Sequence, residues 1–250
     1  MIRTILITGA SSGLGEGMAR EFAAGGYNLA LCARRTERLE ELRAELLQKH
    51  PKLKIGVREL DVNDHEQVFE VFRDFAAEFG SLDRIIVNAG IGKGQPLGTG
   101  HFAANKQTAE TNFVAALAQM EAAMEIFRAQ NHGHLVAVSS VSALRGMPKN
   151  VTTYAATKAG LASLAEGLRV ELYKARSPIR VSTLYPGYIR TEINEKVRNA
   201  PFIVDASAGC KAMVRAIESG KAECFVPSWP WRPIGFLIRR LPVAALARLF

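Results

Sequence analysis

The sequence predicts one α/β domain, a doubly wound parallel sheet of about seven strands with helices on both faces. Three observations lead to it. Short β-rich runs alternate with longer stretches whose apolar residues recur every three or four positions. The strand runs are apolar almost throughout instead of alternating, as expected for strands buried on both faces. The first run passes directly into a glycine-rich turn. At 250 residues the chain suits one large core.

The elements follow in order. TILIT (4 to 8) opens the sheet and ends in Thr8-Gly9-Ala10-Ser11-Ser12-Gly13-Leu14-Gly15, with a helical pattern over 13 to 25. YNLALCA (27 to 33) and KIGVREL (54 to 60) are the next strands, each followed by a helix, at 36 to 49 and 63 to 79. In the latter, Val68, Phe69, Phe72, Phe75, Ala76 and Phe79 share one face. RIIVNA (84 to 89) leads into the Gly-rich loop 91 to 100 and one helical stretch, 103 to 130. HLVAVSS (134 to 140), IRVSTLY (179 to 185) and ECFVP (223 to 227) complete the strands, with helices at 151 to 176 and 205 to 219 between them. No repeat or low-complexity tract interrupts the pattern. In such folds ligands sit beyond the C-terminal strand ends, so the chemistry belongs there.

Composition excludes more than it selects. With 48% hydrophobic and 22% charged residues, the chain is neither disordered nor fibrous. A net charge of +8 favours anionic ligands or surfaces without choosing among them. Cys32, Cys210 and Cys224 are widely spaced, which argues against a disulfide framework or metal site and fits a reducing, cytoplasmic compartment. The N-terminal run lacks the pattern of a signal peptide, and no stretch is long and apolar enough to span a bilayer. Nucleic acid is not expected as a partner, because no aromatic and basic recognition motif accompanies the charge.

The turn after the first strand can present backbone N–H groups at a helix N-terminus to a pyrophosphate, its glycines leaving the approach open. Residues 1 to 227 are therefore expected to form a dinucleotide-binding catalytic domain. At the end of the second strand, where NAD-binding proteins commonly place an acid for the adenosine ribose, the chain reads Leu31-Cys32-Ala33-Arg34-Arg35. Arg34 and Arg35 offer planar donor forks for a 2′-phosphate, so the cofactor expected is NADP. Ser12 occupies the other position often used for a basic residue.

Tyr154-Ala155-Ala156-Thr157-Lys158 begins an amphipathic run, and the four-residue separation puts Tyr154 and Lys158 on one face. Ser139 and Ser140 end the preceding strand at the same sheet edge. Hydride reduction of a carbonyl leaves an alkoxide that needs a proton donor and hydrogen-bond stabilisation. A phenol can supply the proton. Its unperturbed pKa is about 10, and a neighbouring cation is expected to bring it towards neutrality.

In order and spacing, TGASSGLG at 8 to 15, DVND at 61 to 64, NAG at 88 to 90, Asn112, the serines at 139 and 140, YAATK at 154 to 158 and PGYIRT at 186 to 191 resemble the short-chain dehydrogenase/reductase family over nearly the whole chain. The resemblance implies a Rossmann-like fold with Tyr154 as acid/base and Lys158 as its activator and ribose ligand. Ser140 would orient the carbonyl, and Asn112 would anchor a proton-relay water. It further implies a cofactor site of Gly9, Ser11, Ser12, Gly13, Leu14, Gly15, Arg34, Arg35, Asp61, Val62, Asn88, Ala89, Gly90, Tyr154, Lys158, Pro186, Gly187, Ile189 and Thr191. Asp61 and Val62 would lie near adenine, Asn88 would support the cofactor loop, and Ile189 and Thr191 would meet the nicotinamide carboxamide. Two departures stand out. The step from Ser140 to Tyr154 is a residue longer than in most relatives, leaving Ser142 as a second candidate serine, and Val87 precedes Asn88 where many relatives carry another Asn.

The function expected is hydride transfer between nicotinamide and a carbonyl or alcohol carbon of a small, lipophilic molecule. A non-catalytic NADP(H)-binding redox sensor is the alternative, but it would have no use for the Ser, Tyr, Lys and Asn set. Loops 91 to 106, 141 to 152 and 188 to 204 should frame the pocket, with Met147, Tyr188, Phe202, Ile203 and Val204 as an apolar wall. A homo-oligomer is expected, through the helices bearing Asn112 and Tyr154. The tail from 228 to 250 is not an independent domain. It has no acidic residue and combines Trp229, Trp231, Phe236, Leu237, Ile238 and Leu241 with four arginines. It is expected to pack on its own subunit, cover a lipophilic entrance or touch a membrane surface in short pieces broken by Pro233 and Pro242.

Overall fold

A computed structural model describes residues 3 to 191 and 201 to 249. Seven parallel strands form one sheet: β1 (Thr4–Thr8), β2 (Asn28–Ala33), β3 (Ile55–Glu59), β4 (Arg84–Val87), β5 (His134–Val138), β6 (Arg180–Pro186) and β7 (Glu223–Val226). Their order is β3-β2-β1-β4-β5-β6-β7. The chain moves outward from β1 to β3 and then crosses back to β4 on the other side of β1. That reversal opens a crevice at the C-terminal ends of β1 and β4.

Every β1 residue is buried, and alternation sends Ile5 and Ile7 to one core and Leu6 to the other. The first core lies under α1 (Gly13–Ala24), α2 (Thr36–Lys49) and α7 (Ala206–Glu218), through Met18, Phe22, Leu39 and Met213. The second lies under α3 (His65–Phe79), α5 (Ala115–Gln130) and α6 (Thr152–Lys174), through Phe72, Phe75, Phe127 and Leu161. The crossovers into β4, β5 and β6 all run on the α3, α5 and α6 face. The crossover into β7 continues in the same direction, yet its helix α7 packs on the α1 face. It therefore has the opposite hand to the others, against the usual rule. Close helix contact accompanies it: a side chain on Gly17 of α1 would overlap Cys210 of α7.

Local chemistry explains the helix ends. The Asp64 carboxylate caps α3 by accepting from the Gln67 N–H at 3.1 Å, and Gly80 closes it at φ +76°. Asp205 caps α7 through the Ala208 N–H at 2.8 Å.

Two parts differ from the sequence expectation. The stretch expected as one helix over 103 to 130 is divided into α4 (Phe102–Ala109), a π-turn (Glu110–Val114) and α5. The tail contains α8 (Ser228–Ile238) and α9 (Val243–Leu249). Pro233 does not interrupt α8. With Trp229 still non-helical, the proline falls in the first regular turn, so it forgoes only the first intrahelical bond, to the Trp229 carbonyl.

A polar network ties the N-terminal ends of three strands together, on the side away from the crevice. Arg84 donates to His134 Nδ1 at 3.1 Å and pairs with Glu218. The other His134 nitrogen bonds Ser182 Oγ at 2.8 Å, and that hydroxyl donates to the Lys221 carbonyl. Because Nδ1 must accept, the imidazole is neutral. Burial, followed by Arg84 and Arg180, pushes its pKa from 6.5 down to about 3. The unfolded chain binds a proton that the folded chain refuses between those values, so this group costs stability as pH falls from 6.5 towards 3. In urea titrations, wild type should lose about 2 kcal/mol more than His134→Gln between pH 7 and 5. Equal losses would show that His134 does not drive the acid sensitivity.

Candidate functional site

The glycine turn sits where β1 enters α1. Gly9 and Gly13 have φ of +64° and +57°, and a Cβ on Gly9 would lie 2.9 Å from the Ala89 Cα, so only glycine fits there. Ser12 occupies the N-cap position without a side-chain cap bond, which leaves the α1 N-terminus free to receive an anionic group. Gly15 packs against the Gly9 carbonyl, while Leu14 borders the α1 core. Thr8 Oγ1 accepts from the N–H groups of Asn88 and Ala89 at 3.0 and 3.1 Å, and Asn88 Nδ2 donates to the Thr8 carbonyl at 2.9 Å. The turn is thereby locked to the end of β4.

The second strand end brings Arg35 to this turn and Arg34 to Asp61. Arg35 Nε donates to Ser11 Oγ at 3.3 Å, and Arg34 approaches the Asp61 carboxylate at 3.9 Å. Asp61 accepts from the backbone and side chain of Asn63, whereas Asp64 is the cap of α3. Val62 beside it is buried in the α3 core.

Two asparagines order the loop after β4. Asn112, fully buried in the π-turn, exchanges two 2.8 Å bonds with the Ile91 backbone. Asn105 does the same with Gln95 and also accepts from Thr153. The wider π-turn sets Asn112 below Gly90, whose missing side chain would lie 3.1 Å from Asn112 Oδ1 and 3.3 Å from Lys158 Nζ. Sequence reasoning missed Asn105, because its role depends on a loop fold that periodicity does not report.

Tyr154 and Lys158 occupy the first turns of α6. Lys158 is 4% exposed, and its Nζ donates to the Val138 carbonyl at 2.9 Å. Burial pushes its pKa down to about 8. Ser139 is turned away from the crevice and donates to the Lys158 carbonyl at 2.7 Å. Ser140 lies beside the Tyr154 phenol and accepts from both the N–H and hydroxyl of Ser142. Of the two candidate serines, Ser140 faces the phenol and Ser142 orients Ser140.

One expectation needs correction. Lys158 was expected to lower the Tyr154 pKa, but Nζ is held by Val138, 5.9 Å from the ring centroid. Burial dominates and raises the phenol above its usual range. The Ser140 hydrogen bond opposes the rise, and the nearby Tyr188 adds to it. The phenol is therefore held neutral, the form that donates a proton.

The loop after β6 closes the site. Thr191 lies beside Gly13, and Ile189 buries its side chain against Gly209. A bridge between Ile189 and Val204 pins the neck of this loop. Residues 192 to 200, expected to line the pocket, lie outside the described residues. Pro186 ends β6, and Gly187 is covered by the Trp231 indole, for which a side chain there would leave no room. Trp231 contacts Tyr188 and Phe202 at ring distances of 5.8 and 6.0 Å. This aromatic cluster was legible only in part, since nothing in the spacing joins Trp231 to the β6 loop. Glycine turn, Asn88 and Lys158 together fit a nicotinamide dinucleotide. No metal-binding cluster occurs among the described residues.

A family model described as short chain dehydrogenase matches residues 3–201. An uncharacterized oxidoreductase of Mycobacterium tuberculosis is 56% identical over 238 residues, 95% of this chain and 93% of that protein. 11-beta-hydroxysteroid dehydrogenase 1A of Arabidopsis thaliana is 32% identical, covering 91% of this chain and 69% of the relative. Among solved structures, an alcohol dehydrogenase from the archaeon Thermococcus sibiricus, complexed with 5-hydroxy-NADP, superposes with a TM-score of 0.80. It shares 25% identity over 90% of this chain and 96% of that one.

Two outcomes test the site. Tyr154→Phe should retain cofactor binding and lose most turnover; activity near wild type would mean another acid donates. Lys158, whose folded pKa lies near 8 against 10.5 normally, costs stability below pH 8, and that cost fades as the folded chain loses the proton first. Wild-type stability relative to Lys158→Met should rise by about 2 kcal/mol from pH 8 to 10 in denaturant titrations. A flat difference would show that the ammonium is not buried.

Proposed function

Because the chain belongs to the short-chain dehydrogenase/reductase family, we propose that it is an NADP(H)-dependent oxidoreductase acting on a carbonyl or alcohol carbon of a small lipophilic molecule. The observation that carries this reading is the neutral Tyr154 phenol, held by Ser140 beside Lys158 and the glycine turn. When bound, the nicotinamide supplies or accepts the hydride.

The residues of the chain do the rest. Ser140, fixed by Ser142, orients the substrate oxygen next to the phenol. Tyr154 gives its proton to that oxygen as negative charge develops, a role suited to a group kept neutral. Lys158 can hold a ribose hydroxyl and relay a proton, with Asn112 ordering the loop opposite. Tyr188, Phe202 and Trp231 offer an apolar wall. The Arabidopsis relative is named for a hydroxysteroid, which agrees with a lipophilic substrate.

NADP is favoured because β2 ends in Ala33-Arg34-Arg35 with no acid to hold the ribose, and because Arg35 already reaches the glycine turn. The Thermococcus neighbour is complexed with an NADP derivative. A homo-oligomer is supported by exposed Val114 and Leu117 next to the π-turn and Val170 and Tyr173 on α6.

NADPH should bind at least about tenfold tighter than NADH, equivalent to about 1.4 kcal/mol, and Arg34→Ala should erode the preference. Equal affinities in fluorescence titrations of the wild type would remove the NADP assignment. Oxidation of NADPH with medium- and long-chain aldehydes, ketones and 3-oxoacyl compounds tests the reaction. Turnover of none of them would count against the substrate class.

A further inference from the structure

The two sides of α8 differ in kind. Its inner side holds Trp231 against Gly187 and Gly235 against Phe225 and Leu144, while Arg145 donates to the Arg239 and Leu241 carbonyls at the helix end. The element is thus docked on its own subunit. At about 100° per residue, Arg232, Pro233, Phe236, Leu237 and Arg240 fall on one outward arc of about 140°. Phe236 and Leu237 are 62% and 57% exposed, and Trp229 just before them is 76% exposed. Arg240 lies over the Phe236 ring, 3.7 Å from its centroid. An ordinary surface helix turns polar residues outward, and this one turns aromatic and aliphatic groups outward between arginines.

We propose that this outer face of α8 docks the protein on an anionic phospholipid surface, with Trp229, Phe236 and Leu237 in the headgroup boundary and Arg232 and Arg240 on lipid phosphates. Charge selects this occupant. Residues 228 to 250 carry four arginines and no acidic side chain. The neighbouring Glu223 is engaged with the Tyr185 hydroxyl at 3.0 Å and lies 3.8 Å from Arg169. A second copy related by twofold symmetry would bring the same arginines against each other with no acid on the face to pair them. A bilayer surface meets both needs, because aromatic rings favour the headgroup level and arginine stems bury while their heads stay with phosphate. No described helix is long and apolar enough to cross a membrane, so the contact is one-sided.

The position of α8 gives the contact a use. Phe202, 56% exposed, meets Trp231 edge-on, so the docking face borders the aromatic wall of the site. This consequence rests on the oxidoreductase reading; the docking itself is measured without turnover.

Cosedimentation of the full chain with phosphatidylcholine vesicles, with and without phosphatidylglycerol, tests the proposal. Wild type should pellet with the mixed vesicles at low salt and be released as salt rises. Phe236→Ser/Leu237→Ser should weaken partitioning by about tenfold or more, with an unchanged melting curve because both positions face outward. Arg232→Gln/Arg240→Gln should weaken it and flatten the salt dependence. Wild type remaining in the supernatant with mixed vesicles at low salt would overturn the proposal, as would unchanged binding in the Phe236/Leu237 variant. So would a solution dimer that this variant converts to monomer while no vesicle is bound, since the face would then be an interface between copies.

Discussion

Two hydrogen bonds exchanged between the end of β5 and the start of α6 govern the site. The Lys158 ammonium donates to the Val138 carbonyl, and the Ser139 hydroxyl donates to the Lys158 carbonyl. The pair sets both the height and the rotation of α6 on the sheet edge. With that fixed, the Tyr154 phenol lies beside Ser140, and Gly90, without a side chain, faces the lysine. Placing an ammonium inside the protein is costly, as its lowered pKa records. A donor was still needed there, since the Val138 carbonyl at the strand end has no ladder partner of its own in the crevice. The same group thus serves the docking of the helix and the chemistry of the edge.

The sheet was legible because its pattern is redundant. Each of seven runs is bounded by turn residues, and in the inner strands burial on both faces leaves no alternation to misread, while the edge strands β3 and β7 carry exposed positions. The Tyr154 and Lys158 pair was legible for a similar reason, since a helix puts residues four apart on one face whatever surrounds them. Where the sequence reading fell short, the cause is tertiary. Residues 103 to 130 read as one continuous helix because a π-turn adds a single residue per turn, and the demand for it comes from Ile91 and Gly90 across the crevice. Ser142 could not be separated from Ser140 by counting, because the short helical turn between them decides which hydroxyl points at the phenol. The face chosen by α7 was equally hidden, for it goes against the handedness that chain order would suggest.

The tail illustrates the same limit from the other direction. Its composition announced an apolar, basic segment, and Pro233 and Pro242 argued for broken pieces. Pro242 does separate the two short helices, standing just before α9, whereas Pro233 lies within the first regular turn of α8 and does not break it. Composition also could not say which apolar residues face inward. Trp231 and Gly235 do so because Gly187 and Phe225 leave room for them, and Phe236 and Leu237 are left outside.

Stability and function pull on the two poles of the sheet differently. At the N-terminal pole, Arg84, His134, Ser182 and Glu218 satisfy one another, and the neutral histidine completes the set at neutral pH. At the C-terminal pole, the α1 N-terminus is left without a side-chain cap, Lys158 is buried with one carbonyl partner, and the half-buried Tyr154 phenol is kept neutral. Each of these is a deficit in the isolated chain that an anionic dinucleotide and a polar substrate oxygen can relieve. Binding energy is then drawn from groups whose burial the fold has already endured, and ligand occupancy should stabilise the same edge that catalysis uses. That asymmetry follows from the topology itself, because the reversal at β1 and β4 opens the ligand crevice at the C-terminal end of the sheet.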